Sequence, residues 1–553
     1  MPAFTPDTID YSLYLVTGRD LLPEGKDYYE SLDESLQGGV TVVQVREKNI
    51  DTGQFVEIAR RTKEITDKYN VPLIINDRVD VCLAVGAAGL HVGQTDMPVS
   101  LARSLLPAST IIGISVSNLG EARAAVRQGG VDYVGIGAVW WTGSKDLNGK
   151  LCLGVDGVGQ VLDVLAEGEA KGKGKVIKTV AIGGIHLPNL PHLLHASPSP
   201  HHLKSLDGIA LISDIVASPA PRTAARALRD VMDSYHRVRR DQAGVHAAFV
   251  SGSGGYIQRS AEELVCSAAG LMGVVRECTP LAHQITNIVV ANDSANATLA
   301  MGGSPIMASA EQDVGDLSKV ISALLVNFGT IKDKAGMLVA GKAANVNKKP
   351  IVFDPVAVGA TAYRRETAKE LLQAWQPSVI KGNAAEIGAL AESAEVASRG
   401  VDSVGSGFAN PADVVKTLAR KKMSPPRLGC VVALTGKEDW VSDGETVVKL
   451  SNGHEYLGVI TGSGCMTGSA ITVYTGAASQ SVKQPYENES QIVQGDIFAA
   501  TIAGILVINV AAEVAAERSD VKGPNTFRSA LIDELYHLRA DELLKRAKVQ
   551  VVQ

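Results

Sequence analysis

Through the first 240 residues, short runs of β-branched and aliphatic side chains alternate with longer stretches in which apolar residues return every three or four positions. The short runs predict strands at 14–17, 41–46, 73–76, 89–92, 111–115, 133–137, 179–182 and 208–212. The stretches at 54–69 and 119–128 carry the helical period. Eight strands alternating with helices predict a (β/α)8 TIM barrel, whose usual size is ~250 residues. The segment 191–202 breaks the rhythm. Its Pro, Ser and His content predicts a surface insertion with solvated histidines.

The second half has a different pattern. An amphipathic helix is expected at 261–273, followed by continuous apolar strands at 324–327, 351–354, 379–381 and 431–435. Such strands, with helices between them, suit a parallel sheet covered on both faces. Asp443-Gly444 between 440–442 and 446–450 signals a hairpin. The expected fold is a three-layer α/β/α domain with an antiparallel edge. The apolar run 497–512 is shorter than the ~20 residues of a membrane span and reads as a buried helix. Between the halves lies Ser251-Gly252-Ser253-Gly254-Gly255, which cannot bury a core. A single core rarely grows past ~250–300 residues. The expected domains are therefore 1–240 and 259–553, with 241–258 as linker.

Composition adds limits. The 553 residues are 45% hydrophobic and 20% charged, as in an ordinary globular protein. The 55 glycines suit tight strand–helix turns. A net charge of −6 speaks against a nucleic-acid binder. The six cysteines form no CxxC pair, so they predict no zinc or redox motif; most are expected to be buried in a reducing compartment. The first ten residues show no secretory pattern, which makes the cytoplasm the expected location.

In a barrel of this type the chemistry belongs at the C-terminal strand ends. The second strand ends in Gln44-Val45-Arg46-Glu47-Lys48, and alternation sends Gln44, Arg46 and Lys48 to one face. Two cations and an amide suit a pyrophosphate. The third strand ends in Asn76-Asp77, and the fourth is followed by Gly93-Gln94-Thr95-Asp96. Asp77 and Asp96 could share one Mg²⁺. Further along come Ser115, Thr142-Gly143-Ser144-Lys145, Gly183-Gly184 and Ile212-Ser213. Each signal is weak alone, but they fall at the correct end of successive strands.

On these residues the first half resembles thiamine phosphate synthase over nearly its full length. The resemblance implies that Gln44, Val45, Arg46, Glu47, Lys48, Asn76, Ser115 and Lys145 hold the pyrophosphate of a hydroxymethylpyrimidine substrate. It implies Asp77 and Asp96 as Mg²⁺ ligands. Thr142, Gly143, Ser144, Gly184, Ile212 and Ser213 would hold a thiazole phosphate. Trp140-Trp141 departs from the family, which more often has Phe-Pro or Phe-Ala there.

In the second half, Thr461-Gly462-Ser463-Gly464-Cys465 leads into a helix, a Gly-rich anion cradle. The stretch from Gly336 to Ala343 has P-loop spacing but ends in Ala and lies in a helical pattern, so it is rejected. Residues from about Gly270 to Ala512 resemble hydroxyethylthiazole kinase, of the ribokinase-like group. The motifs are His283-Gln284-Ile285-Thr286-Asn287, Asn292-Asp293, Gly303-Ser304-Pro305-Ile306-Met307, Asp354-Pro355-Val356-Ala357, Lys381-Gly382-Asn383-Ala384-Ala385-Glu386, Leu434-Thr435-Gly436 and the cradle. The resemblance implies that Asn287, Met307 and Gly462 line a thiazole-alcohol site and that Lys381 and Thr435 contact ATP. It places Asp354 and Glu386 near Mg²⁺ and Cys465 at the general-base position, where helix-terminus amides are expected to lower the thiol pKa.

Together the resemblances imply a bifunctional enzyme of thiamine biosynthesis that acts on small molecules. They imply a homo-oligomer of three or six chains. Two rivals stay open: a thiamine-responsive regulatory protein that keeps both folds, and a C-terminal kinase for a pyrimidine alcohol.

Overall fold

The structure is a computed structural model. It describes residues 4–143, 151–170, 176–199, 201–202, 204–241, 259–391, 397–399, 402–404, 407–421, 430–482 and 489–552. Ser144, Lys145 and the expected linker beyond Asp241 lie outside the described residues. The chain divides into two compact units, Met1–Arg240 with Asn488–Ser490, and Asp241–Glu487 with Gln491–Gln553.

The first unit is built on eight strands: β1 (Leu13–Val16), β2 (Val42–Val45), β3 (Leu73–Asn76), β4 (Gly89–Val92), β5 (Ile111–Val116), β6 (Tyr133–Ile136), β7 (Lys178–Ile182) and β8 (Gly208–Leu211). They form a closed, all-parallel barrel, in which β8 returns to β1 through the pairing Leu13↔Ile209. The expected strand ends agree to within one residue.

Alternation decides which residues face the axis. Tyr14, Val42, Ile74, Ile111, Tyr133, Val180 and Ala210 pack inside the barrel. Leu13, Val43, Val45, Ile75 and Leu90 point outward against the helices. The inside is crowded enough that a methyl on Gly113 would run into the Tyr133 ring.

Two expectations fail here. The segment 191–202 is only partly an exposed insertion: His201 and His202 are exposed, but its first half contributes the helix Leu190–Ala196. His192 and His195 are buried, the first stacked on Trp140 at 6.3 Å and the second edge-on to Tyr235 at 5.5 Å. A flat ring with aromatic partners packs as readily as it hydrates. The cysteines are also less buried than expected: Cys82 and Cys430 are buried, but Cys152 and Cys266 are exposed.

The second unit contains β9 (Leu281–Ile285), β10 (Ser304–Ile306), β11 (Ala323–Asn327), β12 (Ile351–Asp354), β13 (Val379–Gly382), β14 (Ala397–Arg399), β15 (Asp402–Val404), β16 (Val431–Leu434), β17 (Asp439–Ser442), β18 (Val447–Leu450) and β19 (Val549–Val552). Nine of them form one sheet in the order β10-β9-β11-β12-β13-β16-β17-β18-β19, and β14 pairs with β15 apart from it. The strands through β16 run parallel, and β17 to β19 are added antiparallel. The expected hairpin at Asp443-Gly444 joins β17 to β18.

One face of this sheet packs on the helices Lys334–Val346, Ala362–Ala374 and Pro411–Lys421. The other carries Ser463–Gln480, which packs in turn on Ile497–Glu517. The Ile497–Glu517 helix is apolar enough to cross a membrane, but 89% of its most apolar window is buried inside the unit. Gly504 lets the two helices meet closely, since a Cβ there would stand 2.6 Å from the Ile471 amide nitrogen.

Candidate active sites

At the barrel mouth, Gln44 and Ser115 turn inward from β2 and β5. Arg46 and Lys48 follow β2, half-buried and exposed. The parity that points Gln44 inward sends its neighbours elsewhere. Val45 is fully buried among the outer helices. Glu47 meets Arg19 at 2.6 Å. The structure therefore does not bring the Val45 and Glu47 side chains to the mouth with Gln44.

Asp77 sits just past β3 with φ 66, a left-handed conformation that Asp tolerates better than most residues. Its amide donates to the His91 carbonyl at 2.8 Å. Asp96 accepts from the Gly93 amide at 2.7 Å. Burial raises the Asp77 carboxyl above its ordinary value, and the charge and hydrogen bond of Asp96 raise it further, with Lys48 and Arg78 opposing. Two hard oxygen donors that repel one another until a cation sits between them fit Mg²⁺. No cluster of three His, Cys, Asp or Glu exists among the described residues. Water and phosphate oxygens would have to complete such a site.

Across the mouth, Gly184 adopts φ +66, and a Cβ there would stand 2.6 Å from the Trp141 carbonyl oxygen. The Trp140-Trp141 backbone thus lies directly against the turn after β7. Thr142 and Gly143 continue from it, and Ile212 and Ser213 leave β8 half-buried.

In the second unit the chemistry gathers under the first turn of the Ser463–Gln480 helix. Gly462 caps it with φ 87. Asn327, at the end of β11, donates to Asp354 Oδ2 at 2.8 Å and lies 3.2 Å from Cys465 Sγ. Asn287 Nδ2 lies 3.0 Å from Asn327 Oδ1 and 3.5 Å from the same sulfur. Lys381 Nζ lies 3.2 Å from Asp354 Oδ1. Gly464 and Gly468 leave room for that pair, since a Cβ on either would stand 3.2 Å from Lys381 Nζ or Asp354 Oδ2.

Burial opposes the charge on Lys381, but Asp354 and Glu386 outweigh it and hold the ammonium above its usual pKa. Cys465 departs from expectation. Burial pushes its thiol up to about 11, with Asp354 adding to the rise and Lys381 opposing it. The loss of water and the nearby carboxylate outweigh Lys381 and the hydrogen bonds of Asn327 and Asn287.

The chain resembles known proteins along both units. Residues 13–215 match the family described as Thiamine monophosphate synthase, and residues 272–541 match the Hydroxyethylthiazole kinase family. Over 558 residues, 98% of this chain and 99% of the relative, it is 36% identical to the "Probable thiamine biosynthetic bifunctional enzyme" of Schizosaccharomyces pombe. Over 559 residues it is 35% identical to the "Thiamine biosynthetic bifunctional enzyme" of Saccharomyces cerevisiae, covering 97% of this chain and 96% of that one. The chain belongs to the thiamine biosynthetic bifunctional enzymes. Among solved structures, hydroxyethylthiazole kinase from Pyrococcus horikoshii is 33% identical, covering 52% of this chain and 99% of that one at a TM-score of 0.43. Thiamine phosphate pyrophosphorylase from Pyrococcus furiosus is 33% identical, covering 41% and 97% at a TM-score of 0.34.

For a bifunctional enzyme of this family, three further site residues take these positions, and two buried polar residues were missed. Glu386 is tied to two loops: its two oxygens accept from the Ala357 amide at 2.9 Å and the Asn383 amide at 2.8 Å. Thr435 follows β16 half-buried, its amide bound to the Gly382 carbonyl at 2.9 Å. Met307 follows β10, half-buried. Asn327 was missed because a polar residue ending an apolar strand reads as a boundary. Asp439 was missed for want of any motif; it accepts from the Gly436 amide at 2.9 Å and from Asn509 at 2.6 Å.

Proposed function

We propose that the second unit phosphorylates 4-methyl-5-(2-hydroxyethyl)thiazole from ATP. The first unit then joins the product to hydroxymethylpyrimidine pyrophosphate, giving thiamine phosphate and pyrophosphate. The observation that carries this reading is that one chain holds both constellations, paired acids beside Lys48 in one unit and a charged Lys381 under a helix terminus in the other.

In the synthase, the bond from the pyrimidine methylene to the pyrophosphate oxygen breaks, and the thiazole nitrogen forms the new bond to that carbon. Arg46, Lys48 and Lys145 stabilise the charge on the departing oxygens. Gln44, Asn76 and Ser115 orient the pyrimidine substrate, with Val45 and Glu47 holding the segment's shape. Asp77 and Asp96 would hold Mg²⁺, which would supply positive charge to the phosphate oxygens. Thr142, Gly143, Ser144, Gly184, Ile212 and Ser213 hold the thiazole phosphate. The ring nitrogen carries its own lone pair, so no protein base is needed.

In the kinase, Asn287, Met307 and Gly462 position the alcohol, Lys381 and Thr435 face ATP, and Asp354 and Glu386 would lie near the Mg²⁺ that accompanies it. Phosphoryl transfer depends mainly on positioning and charge. Cys465, a thiol rather than a thiolate near neutrality, assists without being decisive. Ile288 and Val289, 65% and 69% exposed next to Asn287, leave the pocket's edge apolar. A neighbouring copy in a trimer or hexamer would cover it.

The test is product analysis with the purified chain, thiazole alcohol, ATP, Mg²⁺ and the pyrimidine pyrophosphate. Thiamine phosphate, ADP and pyrophosphate are expected, and withholding ATP should stop synthesis unless thiazole phosphate is supplied. Ligand binding without either product would favour the regulatory reading. ADP release with a pyrimidine alcohol alone would favour the other rival.

A further inference from the structure

The floor of the barrel mouth is not the aliphatic layer usual in this architecture. It is a hydrogen-bonded chain drawn from five strands. Gln44 Nε2 on β2 donates to Tyr14 Oη on β1 at 2.8 Å. Tyr14 Oη lies 2.8 Å from Tyr133 Oη on β6. Tyr133 Oη lies 2.9 Å from His91 Nδ1 on β4, and His91 Nε2 lies 3.0 Å from Ser115 Oγ on β5. Glycines on neighbouring strands make the room. Gly113 clears the Tyr133 ring, and a Cβ on Gly135 would stand 3.2 Å from His91 Cε1.

The ends of this chain, Gln44 and Ser115, are the residues that the synthase reading assigns to the pyrimidine substrate. The three residues between them have no role in that reading.

Counting protons gives the chain a direction. Burial raises the Tyr14 and Tyr133 phenols, so both keep their protons. Each hydroxyl has one proton to give. An amide N–H can only donate, so Tyr14 accepts from Gln44 and passes its own proton to Tyr133. Tyr133 then donates to His91 Nδ1. His91 carries its proton on Nε2 and donates to Ser115 Oγ, leaving the Ser115 proton to point elsewhere. Gln44, with one N–H given to Tyr14, keeps its oxygen as an acceptor toward the mouth. The alternative setting reverses every bond at once, because a single reversal would strand a buried hydroxyl without an acceptor.

We propose that Tyr14, Tyr133 and His91 are positioning residues that couple the hydrogen-bonding direction of Gln44 to that of Ser115. With the Gln44 amide nitrogen on Tyr14, the mouth offers an acceptor at Gln44 and a donor at Ser115. That pair complements a ring presenting an amino group and an unprotonated nitrogen, as an aminopyrimidine does. The inference rests on the synthase reading above.

The experiment is steady-state synthase kinetics on the full chain, varying each substrate in turn. Tyr133→Phe, which removes one oxygen and keeps the ring, should raise KM for the pyrimidine pyrophosphate roughly three- to tenfold. KM for thiazole phosphate should stay within about twofold, since that substrate lies outside the chain's two ends. His91→Gln, which can still donate to Ser115, should lose less than His91→Leu. In a double-mutant cycle, Ser115→Ala should cost less in the Tyr133→Phe background than in the wild type, because the link is already cut. Tyr14→Phe makes the same prediction from the other side of the chain should Tyr133→Phe fail to fold. Additive effects, or equal losses for both substrates, would reduce these residues to packing and overturn the proposal. A wild-type chain that makes no thiamine phosphate would instead overturn the synthase reading itself.

Discussion

Lys381 Nζ stands 3.2 Å from Asp354 Oδ1, and with side-chain exposures of 5% and 0% neither group can turn to water. Removing one partner of such a pair strands the other charge, at a cost of about 3–5 kcal/mol. Lys381→Met should therefore lower the melting temperature of the kinase unit by roughly 5–15 °C, besides losing ATP-dependent turnover. Changing both residues, Lys381→Met with Asp354→Leu, should restore much of the melting temperature and none of the activity. Calorimetry of the two variants checks this, and an unchanged melt in the single variant would show that the pair does not hold the sheet end together.

Cys465 provides a second test. With its thiol pushed up to about 11, little thiolate is present at neutral pH. Iodoacetamide labelling of this residue, followed by mass spectrometry, should be slow at pH 7.5 and rise steeply toward pH 10. Cys465→Ala should retain measurable kinase activity, and Cys465→Asp should be active. Complete loss in the alanine variant with nucleotide binding preserved would make the sulfur an essential base.

The acid pair at the barrel mouth makes an opposite pair of predictions for stability and activity. Asp77→Asn removes the repulsion with Asp96, so without Mg²⁺ the first unit should melt slightly higher than wild type. The same variant should lose the stabilisation that Mg²⁺ with pyrophosphate confers, together with most synthase turnover. Thermal shift titrations with and without the two ligands separate these effects. A variant that still responds to Mg²⁺ as wild type does would remove Asp77 from the site.

Asp439 predicts a pH dependence. Burial raises its carboxyl from an ordinary value near 4 to about 6, with the Gly436 amide and Asn509 opposing. The folded state thus binds its proton more tightly than the unfolded state does. That contribution to stability is complete below about pH 4 and is lost as pH climbs to about 6. Asp439→Asn can keep both contacts if Asn509 turns its amide, and it should flatten the melting profile of the second unit between those values. Parallel profiles for variant and wild type would show that Asp439 does not titrate there.

Much of this was legible in the sequence for a simple reason. Barrel strands such as Leu73–Asn76 and sheet strands such as Ile351–Asp354 are continuous apolar runs ended by a polar residue, and their bounds were read without error. Strand β9 was not expected, because His283 and Gln284 at its centre look polar, yet both are fully buried. Gln284 binds Thr298 at 2.8 Å, and His283 lies 2.8 Å from the Ala308 carbonyl. Such partners come from distant positions that no local pattern reveals. The same holds for Asn327, whose importance exists only once Cys465 and Asp354 are brought to it. Glu47 shows the reverse: it sits inside a motif, but strand parity hands it to Arg19. The thiol of Cys465 was misjudged because a helix start can be read from glycines, whereas the depth of its burial cannot.

Gly504 touches no substrate, yet it sets how deeply the neighbouring helix can settle, and that helix carries Cys465 on its opening turn. A side chain there would act like a shim between the two helices, and the Cys465 sulfur, 3.2 Å from Asn327, would shift with the helix that carries it.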